Sequence, residues 1–149
     1  MYKKVFMSIL FFVVGLGIFL FAFSDSYKLS LKARVKYFLG EYKEAKVLAK
    51  QAFELDPYNK MAFSILTQSK ISATLIDYIK DSKRYLKKIE TLSSKGNFSN
   101  SDKIKIKMFC EIQMGKYDKL TPTIMTDKDL SEESKKYYKK FKDIHEELF

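Results

Sequence analysis

Beyond residue 24, apolar residues recur every three or four positions through most of the chain, which is the spacing of a helix with one buried face. Two prolines and five glycines in 149 residues leave few points at which such a helix must end. The pattern therefore predicts an all-α fold with long helices, and argues against a turn-rich β fold.

The apolar block from Val5 to Phe23 contains no charged residue. At about 1.5 Å per residue it would extend roughly 28 Å, close to the hydrocarbon thickness of a bilayer. The block therefore predicts a transmembrane helix over residues 5–23 that contacts membrane lipid.

Two lysines, Lys3 and Lys4, precede this block without any acidic residue. The positive-inside tendency places residues 1–4 in the cytoplasm and residues 24–149 in the periplasm, at a bacterial inner membrane. A cleaved signal peptide ending before Asp25 is the alternative, although the block is longer than the usual 7–15-residue apolar region of such a peptide. A eukaryotic import receptor with its repeats in the cytosol is the alternative topology.

A helix pair is predicted next, over residues 27–39 and 42–55, with Gly40 and Glu41 between the two helices. Asp56 precedes Pro57 and ends the second helix, because the residue before a proline is pushed out of the α region. Each helix has one apolar face, and the alanines of the second helix allow the two backbones to approach closely.

The stretch from Leu39 to Asn59 resembles the tetratricopeptide repeat. The matching residues are Gly40, Tyr42, Glu44, Ala45, Ala52, Glu54, Leu55, Asp56, Pro57 and Asn59. The resemblance implies helical hairpins that stack into a short α-solenoid. It assigns Gly40, Tyr42, Ala45, Ala52 and Pro57 to the packing within a repeat.

The later repeats match the tetratricopeptide pattern less well. The second repeat, about residues 60–98, begins with an apolar helix at 61–66 and continues with a second helix at 75–94 that ends at residues 95–97. The third, about 99–128, has a helix at 101–114, after which Gly115 and Tyr117 echo Gly40 and Tyr42. The repeat domain is expected over residues 24–149, its first repeat at about 26–59.

A last helix is predicted from about Leu130 to Leu148, within a capping segment 129–149, with apolar positions at three- to four-residue spacing and lysines on the opposite face. Asp129 or Ser131 is expected to cap it. A helix with one polar face of this kind resembles the capping helix that closes a stack of repeats.

Catalytic and metal-binding chemistry is not indicated. Cys110 and His145 are the only residues of their types, and no phosphate-binding or zinc-binding motif occurs. The sequence therefore predicts no enzyme, no cofactor, no metal and no small-molecule substrate. The net charge of +10 is spread over all helices, so it is interpreted either as a solvated surface or as attraction for an acidic partner. Nucleic acid is not expected to meet a periplasmic domain.

The resemblance also implies a groove that binds a protein segment along the first helices of successive repeats. By position, its lining would be Tyr27, Leu31, Arg34, Tyr37 and Phe38 in the first repeat, Ile65 and Gln68 in the second, and Lys105, Phe109 and Ile112 in the third. Aromatic and apolar anchors beside cations suit an amphipathic segment with acidic flanks.

The expected function is that of a membrane-anchored scaffold or adaptor, which binds a protein partner during assembly of a bacterial envelope machine for secretion, division or flagella. The alternative is a chaperone-like helper that holds translocated clients near the membrane. A defined stoichiometric partner would favour the first function, and many weakly bound unfolded clients the second.

Overall fold

The structure, a computed structural model, describes residues 2–94 and 99–149, with the side chains of these residues except 2, 4 and 19–23. The described residues form six helices and no strand, so the all-α prediction is confirmed. The helices are α1 (Tyr2–Phe23), α2 (Asp25–Phe38), α3 (Tyr42–Leu55), α4 (Lys60–Ser93), α5 (Asn100–Tyr117) and α6 (Lys128–Leu148). The chain divides into two compact units, residues 1–70 and 71–149.

The first helix corrects a prediction. Within the part of the chain that the structure describes, no helix combines the length and the apolar character needed to cross a membrane. The predicted transmembrane helix over residues 5–23 is therefore wrong. The apolar side chains described in α1 run from Val5 to Ile18 and are exposed.

The turn between α2 and α3 has a specific geometry. Gly40 has a φ of 77°, and its N–H donates to the Tyr37 carbonyl at 3.0 Å, while the N–H of Glu41 donates to the Lys36 carbonyl at 3.0 Å. These two bonds form the Schellman motif, which requires a left-handed residue just after the helix. Glycine adopts that conformation without steric cost, so the predicted break at Gly40 has a backbone cause.

The helices α2 and α3 pack against each other as an antiparallel pair. Ser26 at the start of α2 donates from Oγ to the carbonyl of Ala52 near the end of α3, at 2.8 Å. Small side chains fill the interface, and each is completely buried: Ser30, Ala33, Ala45, Ala49 and Ala52. Residues of this size permit the close backbone approach that the sequence predicted.

The helix α4 differs from the predicted second repeat. It is continuous from Lys60 to Ser93, so the prediction of two separate helices within this segment is wrong. The segment contains neither glycine nor proline, and nothing in its backbone chemistry forces a turn. The division between the two compact units falls inside this helix, after Lys70. The predicted helix end at residues 95–97 lies outside the described residues.

The second unit packs the later part of α4 with α5 and α6. Its core contains Ile89, Ile106, Cys110 and Phe141, with partly buried apolar residues around them. The helix α5 starts with a capping box between Ser99 and Asp102 and runs through Gly115 to Tyr117, three residues beyond the predicted end. No helix occurs in residues 118–127.

The cap of α6 is also corrected. Asp127, rather than Asp129 or Ser131, accepts hydrogen bonds from the backbone N–H groups of Asp129 at 2.9 Å and Leu130 at 3.3 Å. A carboxylate at this position pairs free N–H groups and complements the positive end of the helix dipole. The helix consequently begins two residues before the predicted start.

Candidate functional site

The predicted groove residues of the first unit separate into an exposed and a packed set. Leu31, Arg34 and Phe38 lie on one exposed face of α2, and Phe38 is 72% exposed. The Arg34 guanidinium lies 5.6 Å from the centre of the Phe38 ring. Tyr37 is half-buried, and its ring lies 5.1 Å from that of Tyr42. The exposed set is available to a partner, whereas Tyr37 also contributes to the packing of the hairpin.

Three further predicted groove residues of this unit are turned partly or fully inward. Tyr27 is half-buried. Ile65 packs against the core of the first unit, and Gln68 is buried. Ile65 and Gln68 therefore contribute to packing, and the first unit presents a smaller exposed surface than the sequence predicted.

The residues predicted to pack within repeats lie in both units. In the first unit, Tyr42, Ala45 and Ala52 are buried, while Gly40 and Pro57 lie in exposed turns. In the second unit, Gly115 is an exposed residue inside α5. The half-buried Tyr117 ring stacks on that of Tyr138, with 4.5 Å between centroids.

A cleft lies between α4 and α5 in the described part of the second unit. It has a volume of about 430 Å³ and is lined by Arg84, Lys87, Lys88, Thr91, Leu92, Lys105 and Phe109. Two of these, Lys105 and Phe109, belong to the groove predicted from the sequence. The third predicted member of this unit, Ile112, is exposed on α5 but does not line the cleft.

The position of the cleft follows from helical spacing. Arg84, Lys88 and Thr91 are three or four residues apart, so they share one face of α4. Lys105 and Phe109 are four residues apart on α5 and face the same cleft. The cleft therefore lies between one stripe of α4 and one stripe of α5.

Aromatic rings form the apolar part of the cleft and its margin. The rings of Tyr85 and Phe109 lie edge to face with 5.1 Å between centroids. The Lys88 Nζ lies 5.2 Å from the Tyr85 centroid and 5.7 Å from the Phe109 centroid. Such cation–π contacts hold the ammonium over the rings while its hydrogen-bond donors stay available.

The charge of the cleft is uniformly positive. Four of its lining residues are cations, and none is an acid. Arg84 pairs with Asp81 at 2.9 Å, and Lys105 lies 3.9 Å from Asp102. Among the described residues, no carboxylate pairs with Lys87 or Lys88. These two lysines therefore carry charge that a bound anion would neutralise.

An ion pair across α4 and α5 stabilises one end of this arrangement. The Lys116 Nζ lies 2.7 Å from Asp81 Oδ2, and this hydrogen bond, together with the nearby cations, lowers the pKa of Asp81 below its ordinary value. The pair with Lys116 links α4 to α5 next to the cleft, and the same carboxylate also pairs with Arg84 of the cleft lining. The ionised Asp81 thus pairs with cations of both helices beside the cleft.

Cys110 is completely buried, and burial raises the pKa of its thiol to about 11, so the thiolate that would react is disfavoured. Within residues 2–94 and 99–149, no group of His, Cys, Asp and Glu is placed to hold a metal ion.

Sequence reasoning missed the contribution of α4 to this cleft. The sequence predicts this segment as the second helix of a repeat, and its cations are interpreted as part of the charge spread over all helices. The signal is present in the run from Lys83 to Lys88, where two pairs of basic residues flank Tyr85 and Leu86. Only the neighbouring α5 shows that these cations surround an aromatic ring.

Comparison of the chain with protein-family models, with curated proteins and with solved structures finds no match.

Proposed function

We propose that this chain is a helical-repeat adaptor, which binds an acidic segment of a protein partner in the cleft between α4 and α5. The observation that carries this proposal is a lining that combines the aromatic ring of Phe109 with four cations and no acid. A buried aromatic or aliphatic anchor with acidic neighbours matches both parts of the cleft. Assembly of a bacterial envelope machine is the proposed setting.

Size supports a peptide rather than an extended flat partner. A cleft of about 430 Å³ accommodates one or two large side chains, as in the pockets that receive anchor residues of bound segments. The exposed face of α2, with Leu31, Arg34 and Phe38, is proposed as a separate contact surface of the first unit for the same class of partner.

The test is charge reversal at the cleft in the full chain. Lys88→Glu with Lys105→Glu should weaken binding of a fluorescent acidic peptide with a single leucine by about tenfold or more, because two attractive contacts become repulsive. The matched control is Lys119→Glu with Lys128→Glu, which changes the net charge equally at exposed positions away from the cleft. Circular dichroism should show that all variants are folded.

Equal loss of binding in both double variants would refute the site, since it would show dependence on net charge alone. The face of α2 is tested separately with Phe38→Ala and Arg34→Glu. Tyr37 is not a suitable position for this test, because its ring packs on Tyr42 and its removal would also disturb the hairpin.

A further inference from the structure

A second depression lies on the neighbouring face of α4, between α4 and α6. It has a volume of about 530 Å³, and its apolar part includes Leu86, Tyr137 and Ile144. Its rim carries Lys83, Lys87 and Lys140. Lys87 lines this depression and also the cleft between α4 and α5, so the two concave surfaces meet at one side chain.

Helical spacing explains why one residue serves both surfaces. Lys87 lies four residues after Lys83, which faces the α6 side, and three residues after Arg84, which faces the α5 side. Positions three and four apart are neighbours on a helix surface. Lys87 therefore stands on the ridge of α4 between the two stripes, and its ammonium is exposed.

The two surfaces share a chemical composition. In the depression, Tyr137 is approached by the ammonium groups of Lys83 at 5.9 Å and Lys140 at 5.8 Å from its centroid. Lys88 approaches the Phe109 ring of the cleft in the same way, at 5.7 Å. Each surface thus combines an aromatic ring with lysines above it.

The depression is the less positive of the two surfaces. Lys83 pairs with Glu133 at 3.0 Å, and Glu90 also lines the depression. The cleft, by contrast, has no acidic lining residue. A segment that used both surfaces would consequently gain most of its electrostatic attraction from the cleft and from Lys87, and chiefly apolar contact from the depression.

We propose that the acidic partner segment crosses α4 and places one apolar anchor in the cleft and a second in the depression, with an acidic residue at Lys87 between them. This inference rests on the proposed function and extends it from one anchor to two. Joining two anchors in one chain raises affinity because the second contact becomes intramolecular. The partner is therefore recognised by an apolar–acidic–apolar pattern.

The experiment uses two families of synthetic fluorescent peptides and the full chain. One family carries a single leucine among glutamates, and the other carries two leucines joined by glutamate-rich spacers of increasing length. At the best spacer length, the two-leucine peptide should bind about tenfold tighter than the single-leucine peptide. Lys140→Glu should weaken the two-leucine peptide about three- to fivefold and leave the single-leucine peptide unchanged, whereas Lys87→Glu should weaken both.

Failure of this inference is distinguishable from failure of the proposed function. If the single-leucine peptide depends on Lys105 but no two-leucine peptide binds tighter, the second anchor site is refuted and the adaptor function stands. If the single-leucine peptide does not depend on Lys105, the proposed function itself is refuted. Three outcomes would each overturn the assignment of an acidic peptide. Peptides with glutamine in place of glutamate could bind equally well, or single-stranded RNA could bind more tightly than the peptides. The chain could also self-associate in a way that Lys87→Glu abolishes.

Discussion

The side-chain amide of Asn59 donates a 2.9 Å hydrogen bond to the Oγ of Ser26, although the two residues are 33 positions apart. Asn59 is completely buried. Its Nδ2 also lies 3.3 Å from the Oγ of Ser30, and its Oδ1 accepts from the N–H of Ala62 at 3.1 Å. The Asn59 side chain therefore caps the start of α4 and connects this helix to α2.

Replacement of Asn59 by alanine should destabilise the first unit. The change removes the cap of α4, and it removes hydrogen bonds between buried polar groups, so the free energy of unfolding should fall by about 2–3 kcal/mol. Urea unfolding followed by circular dichroism measures the loss. Asn100→Ala, at an exposed position at the start of α5, is the control and should change stability by less than about 0.5 kcal/mol. A similar effect of both variants would contradict the role of Asn59.

Two glycines provide a matched pair for backbone strain. Gly40→Ala should destabilise the chain by about 1 kcal/mol, because its φ of 77° is unfavourable for a residue with a Cβ. Gly115 is exposed within α5, and an added Cβ would meet nothing within 4 Å. Gly115→Ala should therefore leave stability unchanged or raise it by up to about 1 kcal/mol. In thermal unfolding, the melting temperature should fall for Gly40→Ala, and it should rise or stay unchanged for Gly115→Ala.

Overpacking at Ala45 tests the close approach of α2 and α3. Ala45 is completely buried, and Ala45→Leu forces a larger side chain into a filled interface, at a cost of about 1–3 kcal/mol. Val47→Leu on the same helix is the control, because Val47 is 54% exposed. Chemical denaturation compares the stabilities of the two variants. An unchanged denaturation midpoint for Ala45→Leu would show that the interface has room for a larger side chain.

The ion pair between Asp81 and Lys116 predicts a pH dependence. Lys116→Met should raise the pKa of Asp81 towards its ordinary value of 3.8, since the hydrogen bond from Lys116 is the largest cause of the lowered pKa. In the wild type, a lowered folded-state pKa stabilises the fold at pH above about 4, and this contribution is lost as the pH falls through the folded-state pKa.

Carbon-detected NMR titration of the Asp81 carboxyl measures this change. Lys36→Met is the control, because Lys36 pairs with Glu41 and Glu44 and should leave the titration of Asp81 where it is in the wild type. An unaltered Asp81 midpoint in Lys116→Met would show that the pair does not persist in solution.

The candidate site was only partly predictable from the sequence. Lys105 and Phe109 were named from repeat position alone, and both line the cleft. Ile65 and Gln68 were named by the same reasoning and are packed or buried instead. Position within a repeat indicates which face of a helix a residue occupies, but it does not indicate which other helix covers that face.

Local chemistry in the sequence was sufficient for the helical class and for the hairpin of α2 and α3. Periodic apolar residues, a glycine suited to positive φ and a proline after α3 act over a few residues, so their effects are readable without tertiary contacts. The packing of Ile65 and Gln68 and the position of Lys87 beside two concave surfaces were decided by tertiary structure. Each depends on which helices lie beside one another, and residues far apart in the chain establish those contacts.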